Sequence, residues 1–464
     1  MLVLAALADM VELDGKSPSF AAETMLAWRL PDRAAFTCPQ HAAPPMIHWP
    51  IASPSHIVTW AIAALATAAV ILRPGKWPEA AWAWAGALAL LVGGLLPIAA
   101  ALQAVLEGWD VYLFLAGMML LSELARREGL FDTLAGWAVR HADGSARRLF
   151  ALVYGIGAVV TTFMSNDATA VVLTPAVYLV AKTAGARPLP YLFACAFIAN
   201  AASFVLPVSN PANLVVFGDR MPPLLAWMRA FALPSVAAVV VTWGALAMLF
   251  RAELATPVAV ASHVPSLSGT GRLAAVGIVG VVLAMLAASA LGFPLGAPTL
   301  LATLMAVGAV QATRREAPWA LLQHVSWSVL ALVAGLFVLV AGMGQTGLLA
   351  SLTELLRARA HVAPHATAWG AGAIVAFASN LMNNLPAGLI AGTAVNSGPM
   401  PDDVRSAIAI GIDLGPNLSV TGSLATILWL VALRREGEHV SAWQFLRVGA
   451  VAMPLALAAA LACL

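Results

Sequence analysis

Long apolar runs alternate with short polar connections along most of the chain, and many reach the roughly 20 residues that a helix needs to cross a bilayer. Uninterrupted runs lie at 54–72, 79–98, 109–125 and 230–250, and again at 272–291, 297–311, 326–343 and 443–462. Four others are broken: 148–163 continues as 166–181, 188–205 as 211–218, 367–380 as 384–395, and 405–419 as 424–433. The pattern predicts an all-α polytopic membrane protein of about 10–12 membrane segments, some of them re-entrant hairpins or broken helices.

Polar residues mark each break. They are Ser165-Asn166-Asp167, then Asn200 through Ser209-Asn210-Pro211, then Asn383-Asn384, then Asp413 through Asn417 to Thr421-Gly422-Ser423. Pro175, Pro207, Pro211, Pro386 and Pro416 stand beside them, and each removes a helical hydrogen bond or stops a helix. Backbone and polar side chains at membrane depth need partners inside the protein, so these points are buried between helices or line a cavity. Asn and Ser there have a plain structural use, capping the backbone that a break exposes, and Ser165-Asn166-Asp167 reads as the N-cap of a helix starting mid-membrane. Helix N-termini meeting at the midplane also offer partial positive charge and free N–H donors to a solute.

The two halves repeat. Trp109-Asp110-Val111, Ala116-Gly117 and Gly129-Leu130 recur at one spacing as Trp327-Ser328-Val329, Ala334-Gly335 and Gly347-Leu348. The same register sets Met164 against Met382, Ser165 against Asn383 and Asn166 against Asn384. After a short deletion, Ala199-Asn200 meets Ile412-Asp413, and Val208-Ser209-Asn210 meets Thr421-Gly422-Ser423. Charge then orients the copies. Arg73, Lys76, Arg126, Arg127, Arg147 and Arg148 have uncharged counterparts, apart from a histidine, His365, whereas Arg314-Arg315 fall opposite Leu96-Pro97. By the positive-inside rule equivalent loops lie on opposite faces, so the repeat is inverted. The predicted organisation is a tail over 1–53, a membrane repeat over 54–250, a cytoplasmic linker over 251–271 and a second repeat over 272–464.

Composition adds exclusions. Of 464 residues 61% are hydrophobic and 10% charged, far below the charge of a soluble domain. The net charge of +2 is scattered through loops and gives no nucleic-acid surface. There is no Walker A motif and no Rossmann glycine pattern, so energy would come from an ion gradient, the solute's own gradient or a partner protein. No nucleophile–base pair falls at catalytic spacing in the membrane, so the chain reads as a non-enzyme without a cofactor. Cys38, Cys195 and Cys463 have no metal-ligand spacing. Residues 15–53 are Pro-rich and aperiodic, and 1–53 is expected to be disordered or to precede a true start at Met46.

Two of the polar residues are carboxylates. Asp167 lies at the first break and Asp413 at the last, the latter with no local Arg or Lys, and an acid inside the bilayer is a functional candidate by default. The two copies thus carry their acids diagonally, one at a hairpin tip and one in a broken helix.

At these motifs the chain resembles the ArsB-type arsenite/antimonite efflux permeases of the ion transporter superfamily. The resemblance rests on Asn166-Asp167-x-x-Ala170-x-x-Leu173-Thr174-Pro175, Ser209-Asn210-x-x-Asn213 and Met382-Asn383-Asn384-x-Pro386. Most specific is the run from Asp413-Leu414-Gly415-Pro416 to Gly422-Ser423-Leu424-Ala425-Thr426. It spans about 54–462 and implies a bacterial inner-membrane carrier that extrudes trivalent arsenic or antimony hydroxide by alternating access. It further implies coupling to protons and, in some systems, a soluble arsenite-stimulated ATPase partner. Asn200 stands where the family usually has an acid. A single buried-run thiol, Cys195, does not supply the three sulfurs of a high-affinity arsenic site, which favours hydrogen bonding of a neutral hydroxide. On this reading Ser165, Asn166, Ser209, Asn210, Asn383, Asn384, Thr421 and Ser423 bind substrate, Asp167 and Asp413 couple ions, and Asn200 and Asn417 are secondary candidates. The alternative is a sodium-coupled anion carrier or sodium/proton antiporter of the same superfamily, with Ser165-Asn166 and Asn383-Asn384 as sodium ligands.

Overall fold

A computed structural model describes residues 53–259, 266–317, 319–323 and 325–464. The tail expected over 1–53 lies outside the described residues except for Ser53, whose hydroxyl caps the first helix by accepting from the His56 N–H. Among the described residues the regular structure is entirely helical. The first half comprises α1 (Pro54–Leu72), α2 (Glu79–Val92), α3 (Ile98–Glu107), α4 (Trp109–Arg127), α5 (Leu130–His141) and α6 (Ala146–Met164). After a π-helical turn (Ala168–Leu173) come α7 (Thr174–Thr183), α8 (Leu189–Ala201), α9 (Pro211–Phe217) and α10 (Leu224–Leu249). The second half comprises α11 (Gly269–Ala290), α12 (Gly296–Arg314), α13 (Ser328–Gln345), α14 (Leu348–Val362), α15 (Pro364–Met382), α16 (Asn384–Asn396), α17 (Asp402–Leu414), α18 (Leu424–Arg435) and α19 (Ala442–Leu461). Seven of these helices are long and apolar enough to cross a membrane, and α3 and α4, bent by 46° at Gly108, are together long and apolar enough for an eighth.

The halves match element for element, α3 being answered in the second half by a single short helical turn at Trp319–Leu322. Their packing is reciprocal: α4 lies on α12 and α13 on α2, while α10 and α19 pack on each other. Small residues permit the closest approaches. A Cβ on Gly335 would sit 2.9 Å from the Ala83 Cβ, and one on Gly117 would sit 2.9 Å from Thr299. Dispersion between such tightly fitted faces holds membrane helices together where lipid removes any hydrophobic drive.

The hairpins enter from opposite ends. Gly144 and Ala184, just outside the two arms of the first hairpin (α6 to α7), both accept bonds from the strand-like stretch after α10, from Val258 N–H at 2.9 Å and Ala259 N–H at 2.8 Å. Asn396, at the end of the second hairpin (α15 to α16), donates instead to Val216 and Phe217, just before α10 begins, and Arg220 donates to Gly398. Between these two places α10 runs 26 residues, roughly 39 Å at 1.5 Å per residue, enough to cross a bilayer. The repeat is therefore inverted.

Charges segregate accordingly. Arg127 pairs with Glu316, Arg314 with Glu128 at 2.8 Å, and Tyr178 links Lys182 to the Glu436 carbonyl, all at one end. Arg220, Arg357 and Arg405 gather at the other around Val395 and Gly398. These are the sets that the positive-inside rule assigns to the cytoplasmic and outer faces.

Three elements depart from the sequence expectation. The run 79–98 is helical only to Val92 (α2), because Gly94 takes a positive φ of 65° and Pro97 cannot continue the ladder, and a separate helix, α3, starts at Ile98. α5 and α14 are additional amphipathic helices leading into the hairpins, too polar to read as spans. The chain after Asp167 is a π turn rather than a regular helix. Pro175 cannot donate to Val171, and the wider turn accommodates that loss, with the Thr174 hydroxyl donating to the Thr169 carbonyl at 3.2 Å.

Candidate functional site

The hairpin tips and the broken helices meet crosswise. α16 of the second hairpin packs on α9 of the first broken helix, and the π turn of the first hairpin packs on α18 of the second. At the second tip the Asn384 N–H donates to the Gly422 carbonyl at 2.9 Å, so that tip is tied to the loop that starts α18.

Both tips turn through the same unusual backbone. Ser165 has φ 111°, ψ 159° and Asn383 has φ 74°, ψ 154°, a region that is essentially glycine's. Neither is glycine, and the two occupy equivalent positions of the inverted copies. Ser165, Asn166 and Asp167 do not cap the following helix as the sequence suggested; no side chain of the three bonds a neighbouring N–H. Asn166 is 3% exposed and its Oδ1 has no partner, while Ser165 and Asp167 line a cavity. Asn383 does cap, accepting from the Leu385 N–H at 3.3 Å.

The acids are placed differently. Asp413 is 0% exposed, and its Oδ1 accepts from Asn210 Nδ2 at 2.7 Å while its Oδ2 has no partner. Asn210 also caps α9, accepting from the Ala212 N–H at 3.0 Å, so the acid of one half is held by the helix start of the other. Beside it Asn200 Nδ2 donates to Asn417 Oδ1 at 2.9 Å, and Asn417 donates to the Phe197 carbonyl at 3.0 Å. These two amide-centred pairs bridge the inverted halves through buried polar atoms.

The remaining candidates serve the backbone. Ser209 donates to the Thr162 carbonyl and accepts from the Leu206 N–H; Ser423 caps α18 through the Thr426 N–H; Thr421 donates to the Asn380 carbonyl. Their hydroxyls are engaged within the protein in this conformation. Sequence reasoning overlooked Asn380, which organises the second loop. Its Nδ2 donates to Ala376 and Gly415, and its Oδ1 accepts from both the N–H and the hydroxyl of Ser419. The available signal was an asparagine one turn before the break in an otherwise apolar helix. In the repeat register it falls opposite Thr162, whose carbonyl accepts from the Ser209 hydroxyl at 2.9 Å. Asn380→Ala is expected to lower stability by about 1–3 kcal/mol, because the Gly415 carbonyl and Ser419 N–H lose their partner. Thermal unfolding of the detergent-solubilised protein, followed by size exclusion, reads this loss.

The cavity has a volume of about 700 Å³ and runs along α18 from Leu424 beside the tip to Arg435 and Glu436, roughly 16 Å by helical rise. Its walls include Met118, Met119, Val171, Val172, Val329 and Leu428. Charges other than Asp167 lie at the mouth, at Glu123, Arg126, Asp132, Arg435 and Glu436. Arg126 is held bidentately by Glu123 at 2.7 and 2.6 Å, which neutralises it locally. The mouth faces the arginine-rich end.

A family model described as CitMHS, citrate transporter, matches residues 60–412. The chain belongs to this family. The chain is 29% identical over 365 residues to the arsenical pump membrane protein of Escherichia coli (strain K12), covering 74% of this chain and 83% of that one. It is 27% identical over 355 residues to the arsenical pump membrane protein of Yersinia enterocolitica, with the same coverage. A crystal structure of the Alcanivorax borkumensis YdaH transporter also aligns, with a TM-score of 0.47 and 15% identity over 78% of this chain and 86% of that one. The family assignment and the spanning helices make this a multi-pass transporter of the bacterial inner membrane, an ArsB-type member of the ion transporter superfamily.

Proposed function

We propose that this transporter extrudes trivalent arsenic or antimony hydroxide from the cytoplasm by alternating access, coupled to protons. The observation that carries the reading is the cavity: it reaches a hairpin tip bearing Ser165 and Asp167 among apolar walls, with its arginines at the mouth. A neutral, hydroxyl-bearing solute suits such a lining, since it needs hydrogen-bond partners rather than counter-charges. The names of the curated relatives point the same way. Asp167 in the cavity and Asp413 beneath Asn210 are the proposed proton carriers, Ser165 is the proposed first contact for solute, and Asn166, with its unpartnered buried oxygen, is the proposed partner once the tip moves.

The family's description favours a second reading, a sodium-coupled carrier of a carboxylate such as citrate. A multiply charged anion would meet Asp167 at the deepest point of the cavity and no cationic side chain beside it, which costs several kcal/mol in a low-dielectric site. Inside-out membrane vesicles separate the readings. Arsenite uptake driven by an imposed proton gradient, unchanged by sodium, is expected. Citrate uptake that requires sodium, with no arsenite uptake, would overturn the first reading.

A further inference from the structure

Besides the large cavity there is a narrow crevice at the second tip, with room for about 10 Å³ of water, one molecule's worth. Its lining joins Asn383, Leu385 and Pro386 of the second hairpin and Leu332 of α13 to Glu79 at the start of α2, with Leu424 on the α18 side. Leu424 lines the large cavity too. Leu424 is the one lining residue shared by the space that reaches Ser165 and Asp167 and the space that reaches Asn383.

We propose that Leu424 is the barrier between the two half-sites, a gating residue that decides whether a solute held at the first tip can also touch the second. Its backbone is anchored. Leu424 is the first residue of α18, Ser423 caps that helix from the preceding position, and the Gly422 carbonyl is bonded to the second tip itself. Its side chain is half-buried and faces open volume on two sides, so it is the element free to rearrange there. An apolar residue suits that position: a hydrophobic constriction excludes water and ions until it moves, without binding the solute that passes. With the leucine in place, Asn383 is shut off from the cavity that holds Asp167. The protein in this conformation has its half-sites apart, and the solute-binding arrangement requires Leu424 to swing aside. The consequence for transport rests on the reading that both tips serve one solute. The barrier itself does not, and its test uses no solute.

The test is thiol accessibility in the full chain, with Cys38, Cys195 and Cys463 replaced by serine or alanine. Val172→Cys reports on the large cavity and Leu385→Cys on the crevice, each exposed in inside-out vesicles to a small membrane-impermeant methanethiosulfonate. With Leu424 intact, Val172→Cys is expected to react readily and Leu385→Cys slowly. Leu424→Ala should accelerate labelling at Leu385→Cys by about tenfold and Leu424→Val by less, the rate following the fraction of open barrier, with Val172→Cys unchanged. The graded pair keeps the test informative if the alanine protein fails to insert. Equal rates at Leu385→Cys across leucine, valine and alanine would overturn the proposal, as would labelling of Leu385→Cys as fast as Val172→Cys with Leu424 intact.

Discussion

Asp413→Asn is expected to abolish gradient-driven uptake into inside-out vesicles while leaving a folded protein at wild-type yield. The acid is fully buried between α17 and α9, far from any counter-cation, and its one bond is the acceptance from Asn210. Asparagine keeps an acceptor in that place and adds an amide where Oδ2 has no partner. The change therefore costs little structurally, within about 1 kcal/mol, and is even favourable to the extent that it removes an ionisable group from the interior. What it removes entirely is the capacity to take up and release a proton. An acid whose neighbour caps a helix of the opposite half sits where protonation can alter the contact between halves. Downhill, gradient-independent exchange of solute should survive better than driven uptake. Wild-type driven uptake by the asparagine variant would show that Asp413 serves only to hold Asn210.

Ser165→Gly separates stability from activity in the opposite sense. A non-glycine residue at φ 111°, ψ 159° carries strain on the order of 1–3 kcal/mol. Glycine relieves it, less the roughly 0.5–1 kcal/mol that its greater freedom in the unfolded chain removes. No hydrogen bond of the serine hydroxyl is lost, since it makes none among the described residues. Higher thermal stability in detergent together with reduced uptake is the expected pairing. A variant less stable than wild type would mean that the serine side chain supports the turn, and a variant with full uptake would mean that the hydroxyl has no part in binding. Asn383→Gly is a weaker version of the experiment, because Asn383 also caps the Leu385 N–H.

How much of this was legible in advance follows from the physics of each element. Membrane breaks are conspicuous because lipid forbids unpaired backbone, so Asn, Ser, Asp and Pro inside apolar runs announce them, and all four breaks lie where those residues stand. The inversion was legible for a related reason: arginine distribution records topology, and the two ends of α10 bear it out. The amphipathic helices α5 and α14 were not legible as membrane elements, since their polar faces dilute the hydropathy that identifies a span. The π turn depends on how the chain absorbs Pro175, and propensity does not encode that choice. At the candidate site, residue type pointed to the places where the tips and broken helices meet, but not to the bonds made there. Ser209, Thr421 and Ser423 are spent on backbone groups, whereas Asn380 and Leu424, one step outside the polar motifs, hold and separate the tips.

The uneven stitching of the two hairpins has a kinetic meaning. In the proposed alternating-access cycle, identical inverted copies would give inward-open and outward-open forms of equal energy, and the empty carrier would rest in each half of the time. Asn380 and its partners bind the second hairpin to its loop by several hydrogen bonds, where among the described residues the first has the Ser209 hydrogen bond. That inequality lifts the degeneracy, and a difference of only about 1.4 kcal/mol makes one orientation tenfold more populated. The resting direction of such a carrier is written into its broken symmetry before any gradient acts on it.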